Sequence, residues 1–400
     1  MADTRTLAPP LALKLTVAIF LAIWTVVALF PLVWITVMSF RAPVDALAAN
    51  PWTVLIGPTT QRLSGGISPL ALVLWLGFPI LAWRVGARHG ALAAQLIRPR
   101  WLGWIIAGLV YGVVLIGAAL LALPALVRGL EGVIGVIPGL SLLAEPSIGL
   151  TLDHYRAVWV QHEFYQNFFN SMIVTFGVVI VSLTVGTLAG YGLARSGSTL
   201  AFWLLVIALV FRALPHSVLV TGYVPAFLGS RELLEPLWRA PVIGWFLTLF
   251  SPNAPSLYGQ PVAIIIVLVS INQPFTIWMM RSFFQNIPSE LDEAARVDGC
   301  SHFGAFVRVI MPVMWPGVIT TGLFSFLLAY NDYLVTALLL DAQSQTMVPA
   351  ISSFLNRDTR ASDQIEAIAA AVSITAPLFL LVMVFQKQIV SGLTQGAVKG

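Results

Sequence analysis

The polar segment that interrupts the apolar C-terminal half reads Ile287-Pro-Ser-Glu-Leu-Asp-Glu-Ala-Ala-Arg-Val-Asp-Gly299, followed directly by Cys300-Ser-His-Phe-Gly-Ala-Phe-Val-Arg-Val-Ile-Met-Pro312. Ser289 and Asp292 have the spacing of a capping box, which predicts that a helix begins here. Gly299 can adopt the left-handed conformation that ends a helix. We therefore predict a short capped helix outside the neighbouring apolar stretches.

This first helix has a small, apolar stripe and a polar face. Leu291, Ala294 and Ala295 share the stripe, and the two alanines would allow close approach to a groove. Asp292 precedes Arg296 by four residues, which is the favourable order for an ion pair worth about 0.2–0.5 kcal/mol.

A second short helix is predicted from Ser301 to about Pro312. Its apolar side chains fall on one face: Phe303, Phe306, Val307 and Ile310. Periodicity alone is compatible with two interpretations of the whole segment. It could dock in a groove of another protein, or it could rest on the membrane surface as an amphipathic connector.

Composition determines the class of protein around this segment. Of 400 residues, 58% are hydrophobic and 10% are charged, and the mean hydropathy is +0.90. A soluble domain has roughly 45–50% apolar and 25% charged residues, so the excess apolar surface must face lipid. The net charge of +4 is scattered, which excludes a nucleic-acid binder, and the lone Cys300 cannot form an intramolecular disulfide.

Eight stretches are long and apolar enough to cross a membrane, since a span needs about 20 apolar residues. They are Thr16–Met38, Ile67–Trp83, Trp101–Leu126, Phe169–Leu193, Phe202–Phe227, Pro261–Met280, Met314–Leu340 and Ala367–Phe385. The first is interpreted as an uncleaved helix, because its apolar core exceeds the 7–15 residues typical of a secretory signal.

Basic residues predict the orientation of these spans. The predicted loop Arg84–Arg100 carries four Arg and neither Asp nor Glu, and such short basic loops face the cytoplasm. With an even number of spans, both termini are then cytoplasmic.

Sequence signatures of catalysis are missing. None of the three lysines (Lys14, Lys387 and Lys399) follows a glycine, so the chain has no phosphate-binding loop of the P-loop type. His162-Glu163 lacks a second His at helical spacing, which excludes a zinc-protease helix. We predict no catalytic residue, no metal site and no cofactor bound by this chain, and instead a role in transport and docking.

One pattern resembles a known family. Glu293-Ala294-Ala295, then Gly299 after three residues, then Val309-Ile-Met-Pro312 after nine more, resembles the EAA loop of permease subunits of bacterial ABC importers. In that family the loop, here 287–312, forms a coupling helix that docks on a cytoplasmic ATPase. The resemblance implies these coupling residues: Glu293, Ala294, Ala295, Arg296, Asp298, Gly299 and Pro312.

Other segments resemble the carbohydrate-importing, maltose-type branch of the binding-protein-dependent transport family. They are Asn167-Phe-Phe-Asn170-Ser171, Ala189-Gly-Tyr-Gly-Leu-Ala-Arg195, Ile277-Trp-Met-Met-Arg-Ser-Phe-Phe284, Asn331-Asp332 and Gly392–Gly400.

The resemblance implies an all-α polytopic membrane fold with a six-helix permease core. Residues 1–40 hold a cytoplasmic tail and the first span, and 151–400 hold the rest of the core. The region 41–150 then carries two extra spans, interpreted as an inserted extracytoplasmic or lipid-facing scaffold.

The same resemblance implies the function and the partners. The chain would be one subunit of an importer of a disaccharide or oligosaccharide, with α-glucosides as the expected class, in the bacterial inner membrane. Its partners would be a second, related permease, two ATPase subunits that bind ATP and Mg, and an extracytoplasmic sugar-binding protein. Alternating access would be driven through the coupling loop.

Charged side chains inside spans are candidates for the transport path, because each needs a partner or a watery cavity. Arg212 and Asp332 are the full charges that we place there, and they could pair with each other. Pro274 is expected to break its span. The candidate path residues are Tyr330, Asn331, Asp332, Tyr333, Arg212 and Gln273, with bracing of the bundle as the alternative role.

Two other classes stay open at this stage. An importer of the same architecture could carry a polyol, a glycerol phosphate or an amino acid. A secondary transporter or a polytopic membrane enzyme is the second alternative, but secondary carriers usually show paired internal repeats, and none is apparent here.

Overall fold

The computed structural model describes residues 11–96, 110–115, 117–249, 251–341, 344–355 and 360–397. This part of the chain is almost wholly helical, as expected, with the addition of one short two-stranded ribbon. It divides into two compact units. Unit 1 comprises Met1–Arg156 with Thr359–Ala369, and unit 2 comprises Ala157–Asp358 with Ala370–Gly400.

Unit 1 begins with a long apolar helix, α1 (Leu11–Ser39), and continues through shorter elements. These are α2 (Pro43–Ala46), α3 (Pro51–Ile56), α4 (Pro58–Ser64), β1 (Gly66–Ile67), α5 (Pro69–Leu96), α6 (Leu123–Ile134), α7 (Ser141–Ala144), β2 (Ile148–Gly149) and α8 (Asp153–Arg156). A π-helical turn, Ala118–Ala122, precedes α6. The two strands are antiparallel, with Gly66 opposite Gly149.

Arg41 lies at the centre of a buried polar cluster in unit 1. Its Nε donates to the carbonyl oxygen of Val54 at 2.7 Å, and its two other nitrogens donate to the carbonyl oxygens of Leu55 and Gly149. A buried cation is tolerated only with such partners. Arg41 thereby ties the end of α1 to α3 and to the ribbon.

Asp45 completes this cluster. Its carboxylate, fully buried, accepts hydrogen bonds from the main-chain N–H of Thr60 at 2.6 Å and from the Thr60 hydroxyl at 2.7 Å. Burial alone would raise the pKa of Asp45, but the hydrogen bonds from Thr60 and Thr59 outweigh it and hold this pKa below its ordinary value.

Asp45→Asn is expected to lower the free energy of unfolding at pH 7 by about 1–3 kcal/mol, because an amide nitrogen cannot accept from Thr60. A carboxyl whose pKa is depressed by folding stabilises the fold above its unfolded pKa of about 3.9, and the contribution is lost as the pH falls through the folded value. Thermal unfolding of the purified chain should therefore show a gap between wild type and Asp45→Asn at pH 7 that shrinks below about pH 4.

Glu145→Gln is the matched control for Asp45→Asn, since it removes an exposed carboxylate of the same unit. Equal effects of the two substitutions at pH 7 would contradict the role assigned to Asp45.

Unit 2 is a bundle of helices. After the π-helical turn Ala157–Gln161 they are α9 (Phe164–Ser196), α10 (Thr199–Arg212), α11 (His216–Leu228), α12 (Ser230–Trp238), α13 (Ile243–Thr248), α14 (Pro261–Gln285), α15 (Glu290–Val297), α16 (His302–Ala305), α17 (Met311–Tyr330), α18 (Leu334–Leu339), α19 (Met347–Leu355) and α20 (Ala361–Ala397), whose part up to Ala369 belongs to unit 1. Another π-helical turn, Phe306–Ile310, joins α16 to α17. Helix α9 packs against α14, α17 and α19.

Small residues bring α9 and α14 into close contact. Gly186 and Gly190 are four residues apart on α9, an arrangement that lets membrane helices approach closely. A Cβ atom at Gly186 would lie 2.5 Å from Cγ2 of Thr276, and one at Gly190 would lie 2.6 Å from Cβ of Met280. The two backbones therefore meet at a distance that only glycine permits.

Within the described residues, five helices are long and apolar enough to cross a membrane, or six if the bent pair α10 and α11 forms one span. The predicted second span lies in α5, whose apolar described part, Pro69–Ala82, is shorter than a span. The predicted third span, 101–126, lies outside the described residues at 101–109 and 116, and its described part is not among the helices long enough to cross a membrane. The count of eight and the cytoplasmic placement of both termini thus stay predictions.

The prediction of a loop at 84–100 is wrong for residues 84–96, because α5 continues as a helix to Leu96. Residues 91–96 read Ala-Leu-Ala-Ala-Gln-Leu, all good helix formers. Residues 97–100 lie outside the described part.

The span after the polar segment is also placed differently from the prediction of Met314–Leu340. It runs from His302 to Tyr330, so the second short helix does not stop near Pro312 but continues into α17. Pro312 has no N–H and would clash with the carbonyl four residues earlier in an α-helix. The π-helical turn Phe306–Ile310 relieves that constraint by shifting the hydrogen-bonding pattern just before the proline.

Pro274 was expected to break its span, and this expectation is wrong, since α14 runs through it without interruption. Neighbouring helices stabilise the site. The buried Asn272 side chain donates to Oγ of Ser325 on α17 at 2.8 Å and to Oγ1 of Thr276 at 3.1 Å. The contact with Ser325 joins α14 to α17 close to the proline.

Candidate functional site

The polar segment 287–312 contains the short helix α15, as predicted. The capping box predicted at the start of this helix is not formed. Ser289 is in the helical conformation, and within the described chain its side chain makes no capping hydrogen bond. Gly299 does adopt a left-handed conformation, with φ of +89°, two residues after the helix ends. Ser301 caps the next helix by accepting from the N–H of Gly304 at 3.1 Å.

Asp292 does not serve as a capping-box partner. Its Oδ1 accepts from the hydroxyl of Tyr191 at 2.6 Å, and its Oδ2 forms an ion pair with the guanidinium of Arg195 at 2.8 Å. The expected pairing with Arg296 is therefore replaced by a long-range contact to α9. A partly buried pair has more effect than an exposed i, i+4 pair, since it is less screened.

Arg195 also reaches the end of α14. Its Nη2 donates to the carbonyl oxygen of Ile287 at 3.1 Å, and its Nη1 approaches that of Phe284 at 3.4 Å. A cation at a helix C-terminus satisfies carbonyls that have no partner within the helix. One side chain thus joins α9, the end of α14 and α15.

Aromatic rings surround this contact on the bundle side. The ring centroid of Tyr191 lies 4.7 Å from that of Phe306 and 5.4 Å from that of Phe284. Phe284 and Phe306 are buried in the core cluster that also contains Met280 and Ile310. The ring of Tyr191 is therefore fixed in the core while its hydroxyl contacts α15.

The opposite side of the segment is exposed and partly apolar. Val297 is 88% exposed and Phe303 is 70% exposed, and Leu291 and Ala294 are also exposed. Ala295 alone of the predicted stripe is buried, at 4% exposure. The predicted stripe of Leu291, Ala294 and Ala295 is thus divided between bundle and surface.

The remaining predicted coupling residues lie on the surface of the segment. Glu293, Arg296 and Asp298 are exposed, and Pro312 is in the first turn of α17. The predicted apolar face of the second helix is also divided, since Phe306 and Ile310 are buried whereas Val307 is exposed. The segment presents a mixed charged and apolar surface away from the bundle.

The predicted path residues at the end of α17 have structural partners. Tyr330 is buried, its hydroxyl donates to the carbonyl oxygen of Ile374 at 2.9 Å, and its ring stacks on Phe326 with centroids 5.2 Å apart. Asn331 is exposed and ends α17. This geometry favours bracing of the bundle as the role of Tyr330.

Asp332 caps the next helix. Its Oδ1 accepts from the main-chain N–H of Thr336 at 3.1 Å, at the start of α18. Tyr333 beside it is 48% exposed. The predicted span 314–340 thus contains a break at 331–333 that these polar side chains stabilise.

Arg212 and Gln273, the remaining predicted path residues, contact different helices. The guanidinium of Arg212, at the end of α10, lies 4.8 Å from the ring centroid of Phe275 on α14. Gln273 is half-buried, and its amide nitrogen approaches the carbonyl oxygen of Ser182 at 3.4 Å. A pair between Arg212 and Asp332 stays a prediction.

The motif Asn167-Phe-Phe-Asn170-Ser171 holds a loop at the other end of α9. Asn167 and Asn170 donate to the carbonyl oxygen of Gln345 at 2.8 and 3.3 Å, and Oγ of Ser171 accepts from the N–H of Met347 at 2.8 Å. One helix, α9, thus contacts a loop at each end.

Sequence reasoning noted Tyr191 and Arg195 only as part of a resembling motif and missed their role. Their partner Asp292 is about 100 residues away in the chain. The available signal was a basic residue at the end of one span and an acid at the start of a loop helix, which is common in membrane proteins and does not identify a pair.

These features define a class of protein: a multi-pass membrane subunit that displays a short helical loop at one end of its bundle. The sequence comparison is more specific. Residues 182–395, more than half of the chain, match the family described as binding-protein-dependent transport system inner membrane component. The chain belongs to this family, which confirms the resemblance to importer permeases and the location in the inner membrane.

Several relatives are similar over most of their own length. The diacetylchitobiose uptake system permease protein DasC of Streptomyces coelicolor is 31% identical over 63% of this chain and 82% of its own length. The trehalose transport system permease protein SugB of Mycobacterium tuberculosis is 30% identical over 63% and 83%. The maltodextrin transport system permease protein MdxG of Bacillus subtilis is 27% identical over 62% and 81%.

Among solved structures, a chain of a bacterial ABC transporter involved in the import of the acidic polysaccharide alginate is similar to this one. The match has a TM-score of 0.40 and 20% identity, and it covers 70% of this chain and 96% of that chain.

Proposed function

We propose that this chain is a transmembrane subunit of an ATP-driven importer that carries a carbohydrate into the bacterial cell. The observation that carries the proposal is the segment 287–312, because it is anchored to the bundle on one side and exposes apolar side chains on the other. Val297 and Phe303 are exposed beside charged residues of the segment, and exposed apolar groups rimmed by polar ones are typical of docking sites.

The partner that fits this surface is an ATPase subunit in the cytoplasm. Small residues such as Ala294 allow a helix to enter a groove, and Glu293 and Arg296 can pair with charges at its rim. ATP and Mg would be bound by two such subunits, and a second permease would complete the membrane part. An extracytoplasmic binding protein would deliver the solute.

The proposed solute class is a disaccharide or short oligosaccharide. Its support is the set of relatives named for diacetylchitobiose, trehalose and maltodextrin uptake. Trehalose and maltodextrin are both α-linked glucosides, which is the class that we favour. Closure of the ATPase dimer would move α15 and thereby switch the bundle between outward and inward access.

Within unit 2, we propose that the exposed polar groups at the break 331–333 line the transport path of the solute. Asn331 and Tyr333 can offer hydrogen bonds and a ring face to sugar hydroxyls, whereas Tyr330 braces the bundle. Arg212 and Gln273 complete the proposed set, with no pairing assumed.

The test is ATP hydrolysis by the complex that co-purifies with the tagged full chain, reconstituted in liposomes. The probes are binding protein loaded with trehalose, maltose, maltotriose or diacetylchitobiose, with glycerol 3-phosphate and methionine as controls. We expect one sugar to stimulate hydrolysis several-fold and to accumulate inside the vesicles.

Stimulation by glycerol 3-phosphate or methionine alone would overturn the carbohydrate assignment and leave an importer of another solute. Recovery of the chain without any ATPase, from membranes in which it is abundant, would overturn the importer assignment itself.

A further inference from the structure

We infer that Arg195, Asp292 and Tyr191 form a clamp that sets the position of α15 and thereby couples it to the bundle. The inference rests on the proposed function, since it assigns positioning residues to the coupling segment. We call these three residues the Arg195 clamp.

Several independent attachments meet in the Arg195 clamp. Asp292 receives one hydrogen bond from Tyr191 and a charge-assisted pair from Arg195. Charged hydrogen bonds of this kind are roughly twice as strong as neutral ones. The guanidinium has donors left over for the carbonyl oxygens of Phe284 and Ile287.

Helix α15 has few other attachments to the bundle. It is eight residues long, too short to be stable alone. Most of its side chains are exposed, and Ala295 is its one buried residue. Burying one alanine side chain removes little apolar surface from water and so stabilises the position of α15 only slightly. The polar contacts of Asp292 must therefore supply much of the free energy that holds α15 in place.

The Arg195 clamp lies at a closely packed end of α9. Arg195 and Tyr191 lie on the last turns of α9, just after the close contact of Gly190 with α14. The ring of Tyr191 is fixed against Phe284 and Phe306. A force applied to α15 is therefore transmitted to α9 and α14 through side chains that cannot easily yield.

Hydrogen exchange of the full chain in detergent tests the positional half of this inference. Asp292→Asn should make the amides of 290–299 exchange about tenfold faster, because the strongest contact of α15 is lost. Arg195→Lys should have an intermediate effect, since an ammonium keeps the charge but cannot reach the carboxylate and two carbonyls together. Tyr191→Phe should have the smallest effect. The amides of 170–185 should not change.

Solute transported per ATP hydrolysed, in the reconstituted complex described above, tests the coupling half. We expect this ratio to fall at least about fivefold in Asp292→Asn, while ATP hydrolysis persists. A merely structural residue would reduce the amount of complex and leave the ratio unchanged. Gln285→Ala, an exposed change beside Phe284, is the matched control and should keep the wild-type ratio.

The results distinguish failure of the clamp from failure of the proposed function. Unchanged exchange in Asp292→Asn would overturn the clamp, and faster exchange with an unchanged ratio would overturn its coupling role. Both leave the proposed function intact if the wild-type complex couples ATP to sugar. A wild-type complex that hydrolyses no ATP would overturn the proposed function instead.

Discussion

Gly190→Ala is expected to destabilise the chain even though alanine favours helices. The new Cβ would lie 2.6 Å from Cβ of Met280 and 3.0 Å from the main-chain nitrogen of Arg281, so α9 and α14 must separate. Overpacking of this kind costs about 1–3 kcal/mol in well-packed cores. A leucine at the same position should cost more, because the whole side chain must be accommodated.

Gly192 offers a matched control on the same helix. It is exposed, and a Cβ there would meet no atom of the described residues within 4 Å. Gly192→Ala should therefore be neutral, or stabilising by up to about 1 kcal/mol from helix propensity. The difference between the two alanine variants isolates the cost of the close contact.

The measurement is the midpoint of thermal unfolding of each purified chain in the same detergent, with the fraction of monodisperse protein as a second readout. We expect the order Gly192→Ala at or above wild type, then wild type, Gly190→Ala and Gly190→Leu. A Gly190→Ala variant as stable as Gly192→Ala would mean that α9 and α14 are not in the close contact described.

Gly299→Val is expected to reduce transport at least tenfold while the chain still inserts and assembles. A Cβ at Gly299 would meet no described atom within 4 Å, so there is no steric clash. The cost is conformational: φ is +89°, and a β-branched residue in this region is strained by about 1–3 kcal/mol. The strain is relieved by moving or unwinding the end of α15, which displaces Val297 from the proposed docking surface.

Gly299→Asn separates conformation from any other role of this position. Asparagine tolerates the left-handed region better than other side chains, so this variant should keep more than about half of the transport rate. Uptake of radiolabelled sugar by cells, normalised to the chain in their membranes, is the measurement. Equal loss in the Asn and Val variants would mean that any side chain at this position blocks transport, and would contradict the conformational explanation.

In the segment 287–312, features set by local backbone conformation are predictable from sequence, and features set by distant contacts are not. Gly299 was predicted correctly because a left-handed helix end depends on local backbone conformation. The capping role of Ser289 and the pairing of Asp292 with Arg296 were wrong, since a distant Arg195 and Tyr191 compete for the same carboxylate. The end of a helix at Pro312 was wrong because a π-helical turn, invisible to a periodicity argument, absorbs the proline.

The sequence by itself determined the membrane class, the helical fold and the family, because these depend on hydropathy and on a motif whose spacing is local. It also located the segment 287–312 and Gly299, the left-handed glycine that follows α15. Only the tertiary structure decided which side of α15 faces the bundle, which carboxylate holds it there and which glycines of α9 are indispensable. Those features depend on contacts between residues up to about 100 positions apart, and a single sequence contains no measure of the distances between them.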